Sequence, residues 1–226
     1  MGGVIAAPRT SSGSTVGVAY KSNLVSVRAS NDVVINGSAE KDGVSDAYVY
    51  LGNRSDVKII SMSMGDVFYS GQVADAVVYA YNKGKLIFNA AGTSLSWTSW
   101  WGVIFPANMS QTVAVTGVRT GTPLQRCDVC HDGSQVDFVI TMQDRNNTNR
   151  TPLTLHTSGN TPRYTGGSSC ATATTAGIAA LVWAKNLGQS RNQVLNVLKN
   201  SSEFYPNRNS NFGWGNIDAL AAVNAV

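Results

Sequence analysis

The sequence predicts an α/β fold in which a parallel sheet carries helices on both faces. Short, continuous apolar runs rich in β-branched residues recur along the chain, and turn residues bound each run, as in strands buried on both faces. Helical periodicity lies between several of these runs, and this order favours parallel strands joined by right-handed crossovers. The predicted strands are residues 24–27, 57–61, 85–89, 112–117 and 136–141.

Two helices are predicted from apolar periodicity. Residues 72–81 form the clearer one, which ends near Gly84, and residues 194–198 belong to the other. Residues 144–150 have no apolar period and are predicted to form an exposed loop. Because binding sites in such sheets gather beyond the carboxyl ends of the strands, the residues that follow each strand are candidates for a site.

The composition indicates one globular domain covering residues 1–226. The chain is 43% hydrophobic and 13% charged, and no Pro/Gly/Ser-rich linker divides it. The net charge of +4 is scattered, and no Lys/Arg cluster alternates with aromatic residues, so no nucleic-acid partner is predicted. No apolar run is long enough to span a bilayer, so no membrane partner is predicted, and no signal peptide is recognisable.

The most informative segment is residues 167–177, which read G-S-S-C-A-T-A-T-T-A-G. A double glycine, Gly166 and Gly167, precedes a helix of small residues that runs through Trp183. A serine at the start of that helix can attack a carbonyl carbon while nearby backbone N–H groups stabilise the oxyanion. The alternative is that Ser168 or Ser169 only caps a buried helix, and the segment alone leaves both interpretations open.

This segment resembles the nucleophile motif of the subtilisin-like serine peptidases, and three further blocks resemble that family in the same order. The resemblance spans the whole chain and corresponds to the later part of a family catalytic domain. The C-terminal residues 213–219, G-W-G-N-I-D-A, also fit. The three blocks are residues 1–7 with 16–19, residues 57–65, and residues 86–93.

The resemblance implies a set of site residues. Ser169 would be the nucleophile, and Thr93 stands where the family generally carries its oxyanion asparagine, so either Thr93 donates to the oxyanion or it is a plain turn residue. Residues 63–65 would pair with an extended substrate, and residues 90–92 would form the opposite wall of the pocket for the residue before the scissile bond. The implied substrate-binding residues are Ser63, Met64, Gly65, Ala90, Ala91 and Gly92.

Further features near this pocket follow from the same resemblance. Ile104 falls where the family commonly has a small residue, and its size would favour small substrate side chains. The Phe105-Pro106 bond is expected to be cis. Trp97, Trp100 and Trp101 either line an extended cleft or pack a loop, with packing favoured.

The aspartate and histidine motifs of the family are absent from this sequence and would lie upstream of Met1. His131 and His156 are the chain's two histidines, and neither falls in a family catalytic context, so both are interpreted as surface or structural residues. We therefore expect an N-terminally truncated serine endopeptidase, inactive by itself, with peptide or protein substrates and the missing N-terminal segment as a partner. The alternative is a non-catalytic peptide-binding or scaffold protein, and the intact protein is expected to be secreted or cell-envelope bound.

The truncation also bears on folding. In the family the aspartate-bearing strand lies between the strands matching residues 24–27 and 57–61, so this chain would leave that position empty, close it, or fill it with another chain. Cys127 and Cys130 are interpreted as a local disulfide or two free thiols, since with His131 they give only three metal ligands. Cys170 is interpreted as a buried packing residue. No cofactor or metal is predicted, because residues 8–15 offer no carboxylate for calcium.

Overall fold

The computed structural model describes residues 1–9, 15–93, 102–155 and 162–226. Its centre is a four-stranded parallel sheet in which the spatial order of the strands equals their order along the chain. Parallel pairing buries both faces of such strands, which explains why their sequences are continuously apolar. The strands are β1 (Ile59–Met62), β2 (Leu86–Ala90), β3 (Val113–Arg119) and β4 (Phe138–Gln143).

Four of the five predicted strands are confirmed, with ends shifted by one or two residues. The fifth prediction is wrong, because residues 24–27 form no strand. A strand requires a neighbour at hydrogen-bonding distance, and here a groove of about 830 Å³ separates this segment from β1. Apolar side chains line much of the groove, among them Leu24, Val25, Val27, Ile59, Ala180 and Trp183.

Helices cover both faces of the sheet, as predicted. The helices at residues 72–81 and 194–198 are confirmed; the first is one residue longer at each end, and the second has twice the predicted length. Ser70 caps the first, and a Ser190–Gln193 capping box starts the second. The helices are α1 (Gly2–Ala6), α2 (Ser38–Asn53), α3 (Gly71–Asn82), α4 (Ser168–Lys185), α5 (Arg191–Asn200) and α6 (Ala219–Asn224).

The longest of these helices, α4, packs across all four strands on one face of the sheet, together with α1, α5 and α6. Helices α2 and α3 pack on each other and on the opposite face. The side chains of β2 alternate accordingly, since Phe88 enters the α4 core and Ile87 enters the α2–α3 core. This arrangement places the first turn of α4 at the carboxyl ends of the strands, next to the last residues of β1 and β2.

Two further segments bear on this edge of the sheet. An antiparallel hairpin of β5 (Leu153–Leu155) and β6 (Pro162–Tyr164) leads directly into α4. Residues 144–150 form the predicted exposed loop before it, and the Phe105-Pro106 bond is cis, as predicted. None of the described helices combines the length and apolar character needed to cross a membrane.

Candidate active site

Ser169 lies in the first turn of α4, directly beside the residues that follow β1. Gly167 precedes the helix with φ of +82°, a left-handed conformation that glycine adopts without the steric cost of a Cβ. The Ser169 hydroxyl donates to the Ser63 carbonyl at 3.5 Å, and the Ser63 hydroxyl donates to the Ser169 carbonyl at 3.0 Å. The structure thus brings the predicted nucleophile and the first residue of the predicted substrate edge into direct contact.

The backbone N–H of Ser169 is available to a ligand. Within the described ranges no residue accepts a hydrogen bond from it, whereas the N–H groups of Cys170 and Ala171 donate to the Gly167 carbonyl. The first turn of α4 also carries no acidic side chain. The unpaired N–H and the positive end of the helix dipole can therefore stabilise negative charge developing beside Ser169.

Thr93 is exposed at the exit of β2 and contacts the other serine of the motif. Its hydroxyl oxygen accepts from the backbone N–H of Ser168 at 3.1 Å and lies 2.6 Å from the buried Ser168 hydroxyl. If Ser168 donates in the hydroxyl pair, the Thr93 proton is free to point elsewhere; if Thr93 donates, its only proton is used. The orientation of this pair therefore decides whether Thr93 can serve an oxyanion.

The two predicted pocket walls are bridged by Ile104. Its N–H donates to the Ala91 carbonyl at 3.0 Å, and its Cδ1 would lie 2.6 Å from a Cβ placed on Gly65. Ala90 and Ala91 are buried in the end of β2, and Met64 packs against the α2–α3 core. The space between Gly65 and Ala91 is thus narrow and apolar.

The substrate edge predicted at residues 63–65 is partly occupied by the chain itself. The N–H of Gly65 donates to the Val33 carbonyl, and the Gly65 carbonyl accepts from the Ile35 N–H, both at 3.2 Å. Residues 33–35 therefore take the parallel backbone position next to Gly65. This contact was not predicted, although Val33, Val34 and Ile35 form a short β-branched apolar run between turn residues, which is a strand signal.

His131 packs against the short segment between the end of β2 and Thr93. The buried ring lies against Gly92, its Nδ1 is 2.7 Å from the Gly102 carbonyl, and its backbone N–H donates to the Gly92 carbonyl at 3.0 Å. Burial lowers the pKa of His131, which favours the neutral ring. In the described part of the chain no imidazole is hydrogen-bonded to Ser169, and His156 lies outside the described residues.

The cysteines resolve the alternatives that the sequence left open. Cys127 and Cys130 form a disulfide, and Cys130 pairs with Thr93 through an antiparallel bridge. Cys170 is a buried free thiol, and burial raises its pKa to about 11, as befits a packing residue. Among the described residues no cluster of three or more His, Cys, Asp or Glu side chains could hold a metal ion. Trp97, Trp100 and Trp101 lie outside the described residues, as does most of the segment 8–15.

A serine at the start of a buried helix, beside two strand ends and an unpaired N–H, has the surroundings that a nucleophilic serine requires. The chain belongs to the subtilase family of subtilisin-like serine proteases (peptidase S8), whose family model matches residues 1–215.

Its relatives agree with this assignment. The chain is 26% identical over 221 residues to a thermophilic serine proteinase of Bacillus sp. strain AK1, a match covering 98% of this chain and 50% of that protein. It is 30% identical to the alkaline elastase YaB of Bacillus sp. strain YaB, covering 98% and 53%. In fold, a protease structure from Pseudoalteromonas arctica superposes with a TM-score of 0.80 at 24% identity, covering 99% of this chain and 68% of that one. The chain spans 50% and 53% of the length of the first two curated relatives, and 72–75% of two others.

Proposed function

We propose that this chain carries the nucleophile and the oxyanion site of a serine endopeptidase. The single observation that supports this most is the position of Ser169, whose hydroxyl and unpaired N–H both lie at the start of α4. In the reaction the Ser169 Oγ forms a bond to the peptide carbonyl carbon, and its proton passes to a base. The carbon–nitrogen bond then breaks, the leaving amine takes that proton, and water hydrolyses the resulting acyl-enzyme.

The oxyanion site would combine the Ser169 N–H with the Thr93 hydroxyl. The contact between the Thr93 and Ser168 hydroxyls supports a donor role only when Ser168 donates to Thr93. In subtilisin itself, a member of this family, loss of the side-chain oxyanion donor costs on the order of 10²–10³ in turnover. We therefore expect Thr93→Ala to lower any turnover of the complete enzyme, and Thr93→Asn to raise or preserve it.

A base must come from elsewhere, because a serine hydroxyl is a weak nucleophile at neutral pH and Ser169 donates its proton to a carbonyl oxygen, which is not a base. We propose that a segment outside the 226 residues supplies the histidine and its orienting aspartate. The groove of about 830 Å³ beside β1 supports this proposal, since an added strand there would pair with the outer edge of β1 and cover its apolar lining. Such a strand would end next to Ser63 and Ser169.

The substrate would be an extended peptide whose residue before the scissile bond enters the space between Gly65 and residues 90–92. Ile104 narrows that space, which supports a preference for small side chains. Backbone pairing would start at Ser63, because the Gly65 groups are already bonded to residues 33–35.

We also propose that the intact protein works outside the cytoplasm, in a secreted or cell-envelope location. The Cys127–Cys130 disulfide supports an oxidising compartment.

The alternative is a non-catalytic protein that uses the same edge to bind peptides or to act as a scaffold. Two observations favour it: the described residues give Ser169 no base, and residues 33–35 already occupy the edge at Gly65. An enzyme and a scaffold differ in whether Ser169 can be acylated.

The test compares the 226-residue chain with the chain extended by its upstream reading frame, using a serine-directed phosphonate probe and peptide hydrolysis. The chain alone should be inert, since removing the serine or the histidine of subtilisin costs about 2 × 10⁶ in turnover. The extended chain should hydrolyse peptides, and Ser169→Ala should abolish this, whereas Cys170→Ala should not. An extended chain that leaves Ser169 unlabelled favours the scaffold. Rapid labelling of the short chain, abolished by His156→Ala, would mean that the base lies within these residues.

A further inference from the structure

One cation of the loop before the β5–β6 hairpin lies next to the nucleophile motif. Arg150 pairs with Gln143 through an antiparallel bridge, which returns the exposed loop to the carboxyl end of β4. Its Nη1 lies 3.2 Å from the position of a Cβ on Gly166 and 3.8 Å from that of a Cβ on Gly167. Thr93 Oγ1 is 3.2 Å from the same Gly167 position. Two glycines in the motif thus make room for a guanidinium and a hydroxyl to approach the chain just before Ser169.

The Arg150 charge has no partner within the described ranges. No carboxylate or carbonyl there forms an ion pair or hydrogen bond with its guanidinium, which is exposed. Asp128 lines the same cavity of about 200 Å³, but its oxygens bond to Arg119 and to the Gln143 amide. The neighbouring Arg145 is held by the carbonyls of residues 120 and 123. Arg150 is therefore the cation that this cavity offers to a ligand.

The position of Arg150 relates it to one part of a bound peptide. Ser63, on the edge that would bind residues before the scissile bond, contacts the carbonyl of Ser169. Arg150 lies instead with Gly166 and Gly167, on the N-terminal side of the nucleophile. We infer that a peptide that pairs at Ser63 and presents its carbonyl to Ser169 places its residues after the scissile bond on the side of Gly166, Gly167 and Arg150.

We propose that Arg150 is a specificity-determining residue that binds a carboxylate of the peptide on the leaving-group side of the scissile bond. This inference rests on the proposed function, in which a peptide binds along Ser63 beside Ser169. Guanidinium groups suit this task because their donors match the two oxygens of a carboxylate. The carboxylate belongs either to an acidic side chain after the scissile bond or to a free C-terminus shortly after it.

The experiment measures the affinity of the 226-residue chain for fluorescent peptides by anisotropy, so it does not require turnover. The first peptide carries Asp after a run of small residues and has an amidated C-terminus. The second has Asn instead of Asp, and the third is the Asn peptide with a free C-terminal carboxylate. Arg150→Gln should weaken binding of the Asp peptide, of the free-carboxylate peptide or of both about five-fold and leave the Asn peptide unchanged, since the charge is exposed and screened. Arg150→Lys should retain part of the preference. Lys83→Gln is the matched control, because it removes one charge just before β2, at the opposite end of the sheet.

The outcomes separate the two sources and the two proposals. A loss of about five-fold for the third peptide alone assigns the carboxylate to a free C-terminus, and a loss for the first assigns it to an acidic side chain. Equal affinity of the chain for all three peptides overturns the role of Arg150 and leaves the proposed peptide binding at Ser63 standing. A chain that binds none of them overturns both this inference and the proposed peptide binding.

Discussion

Substituting Gly92 by alanine tests how the His131 ring supports the segment that follows β2 and carries Thr93. Gly92 has φ of +134°, and a Cβ there would lie 2.6 Å from His131 Nδ1 and 2.7 Å from its Cγ. Such contacts are far inside van der Waals distance. The ring cannot withdraw easily, because it is 2% exposed and its Nδ1 is bonded to the Gly102 carbonyl at 2.7 Å.

The expected loss of stability combines two effects. Holding alanine at such a φ costs on the order of 1–3 kcal/mol, and overpacking a buried site costs about 1–3 kcal/mol more. We therefore expect Gly92→Ala to lower the free energy of unfolding by roughly 2–6 kcal/mol, a large part of the stability of an ordinary domain. Urea denaturation followed by tryptophan fluorescence measures this.

The control is Gly84→Ala, since Gly84 has φ of +83° and no atom lies within 4 Å of its Cβ position. Gly84→Ala should lower the free energy of unfolding by only about 1 kcal/mol. In a His131→Ala background, where the steric conflict is gone, Gly92→Ala should cost little more than Gly84→Ala does. Equal losses for Gly92→Ala and Gly84→Ala in the wild-type background would refute the role assigned to the His131 ring.

Three further predictions concern buried polar groups. Burial lowers the pKa of His131 below its ordinary 6.5, so its contribution to stability is present above pH 6.5 and is lost as the pH falls further. Urea midpoints should therefore decrease between about pH 7 and 5. His131→Asn should make this decrease smaller. Tyr48→Phe removes the hydroxyl that donates to Asn89 Oδ1, and the Asn89 amide nitrogen has no hydrogen-bond partner among the described residues. Urea unfolding at neutral pH should therefore show a loss of about 1–3 kcal/mol in the free energy of unfolding. Burial raises the pKa of Asp137 above its ordinary 3.8, so its contribution to the free energy of unfolding is greatest below pH 3.8 and falls as the pH rises. The stability of Asp137→Asn relative to wild type should therefore increase between about pH 3 and 6. A difference that stays constant over this range would contradict the prediction.

The sequence predicted the parts of the fold that depend on local pattern. The strands buried on both faces of the sheet and the helix of small residues leave continuous signals, and these elements were found. Helix α2 was not predicted, because few of its residues are buried and Gly43 disfavours a helix. The structure explains this glycine, since a Cβ at residue 43 would collide with the Ala29 backbone. The prediction of a strand at residues 24–27 was wrong because the sequence suits a strand but no neighbouring strand lies close enough to pair with it.

The site divides in the same way. Ser169, Ser63 and Thr93 could be placed together because β1, β2 and the start of α4 share one edge of the sheet. The bond between Thr93 and Ser168 could not be predicted, because it depends on side-chain positions within a fraction of an ångström. Arg150 and residues 33–35 reach the site through loops, whose paths no periodicity in the sequence determines.

The occupied edge at Gly65 decides where the affinity for a peptide can come from. A peptide that displaced residues 33–35 would replace two backbone hydrogen bonds by two of the same kind, each worth about 0.5–1.5 kcal/mol, so this exchange is nearly neutral. It would also expose Ile35, which is 2% exposed and stabilises the fold by about 1.5–3 kcal/mol, unless the peptide supplied an equivalent side chain. Backbone pairing at Gly65 therefore adds little. Net affinity must come from contacts that residues 33–35 do not make, and those we propose are backbone pairing at Ser63, a small side chain against Ala91 and a carboxylate at Arg150.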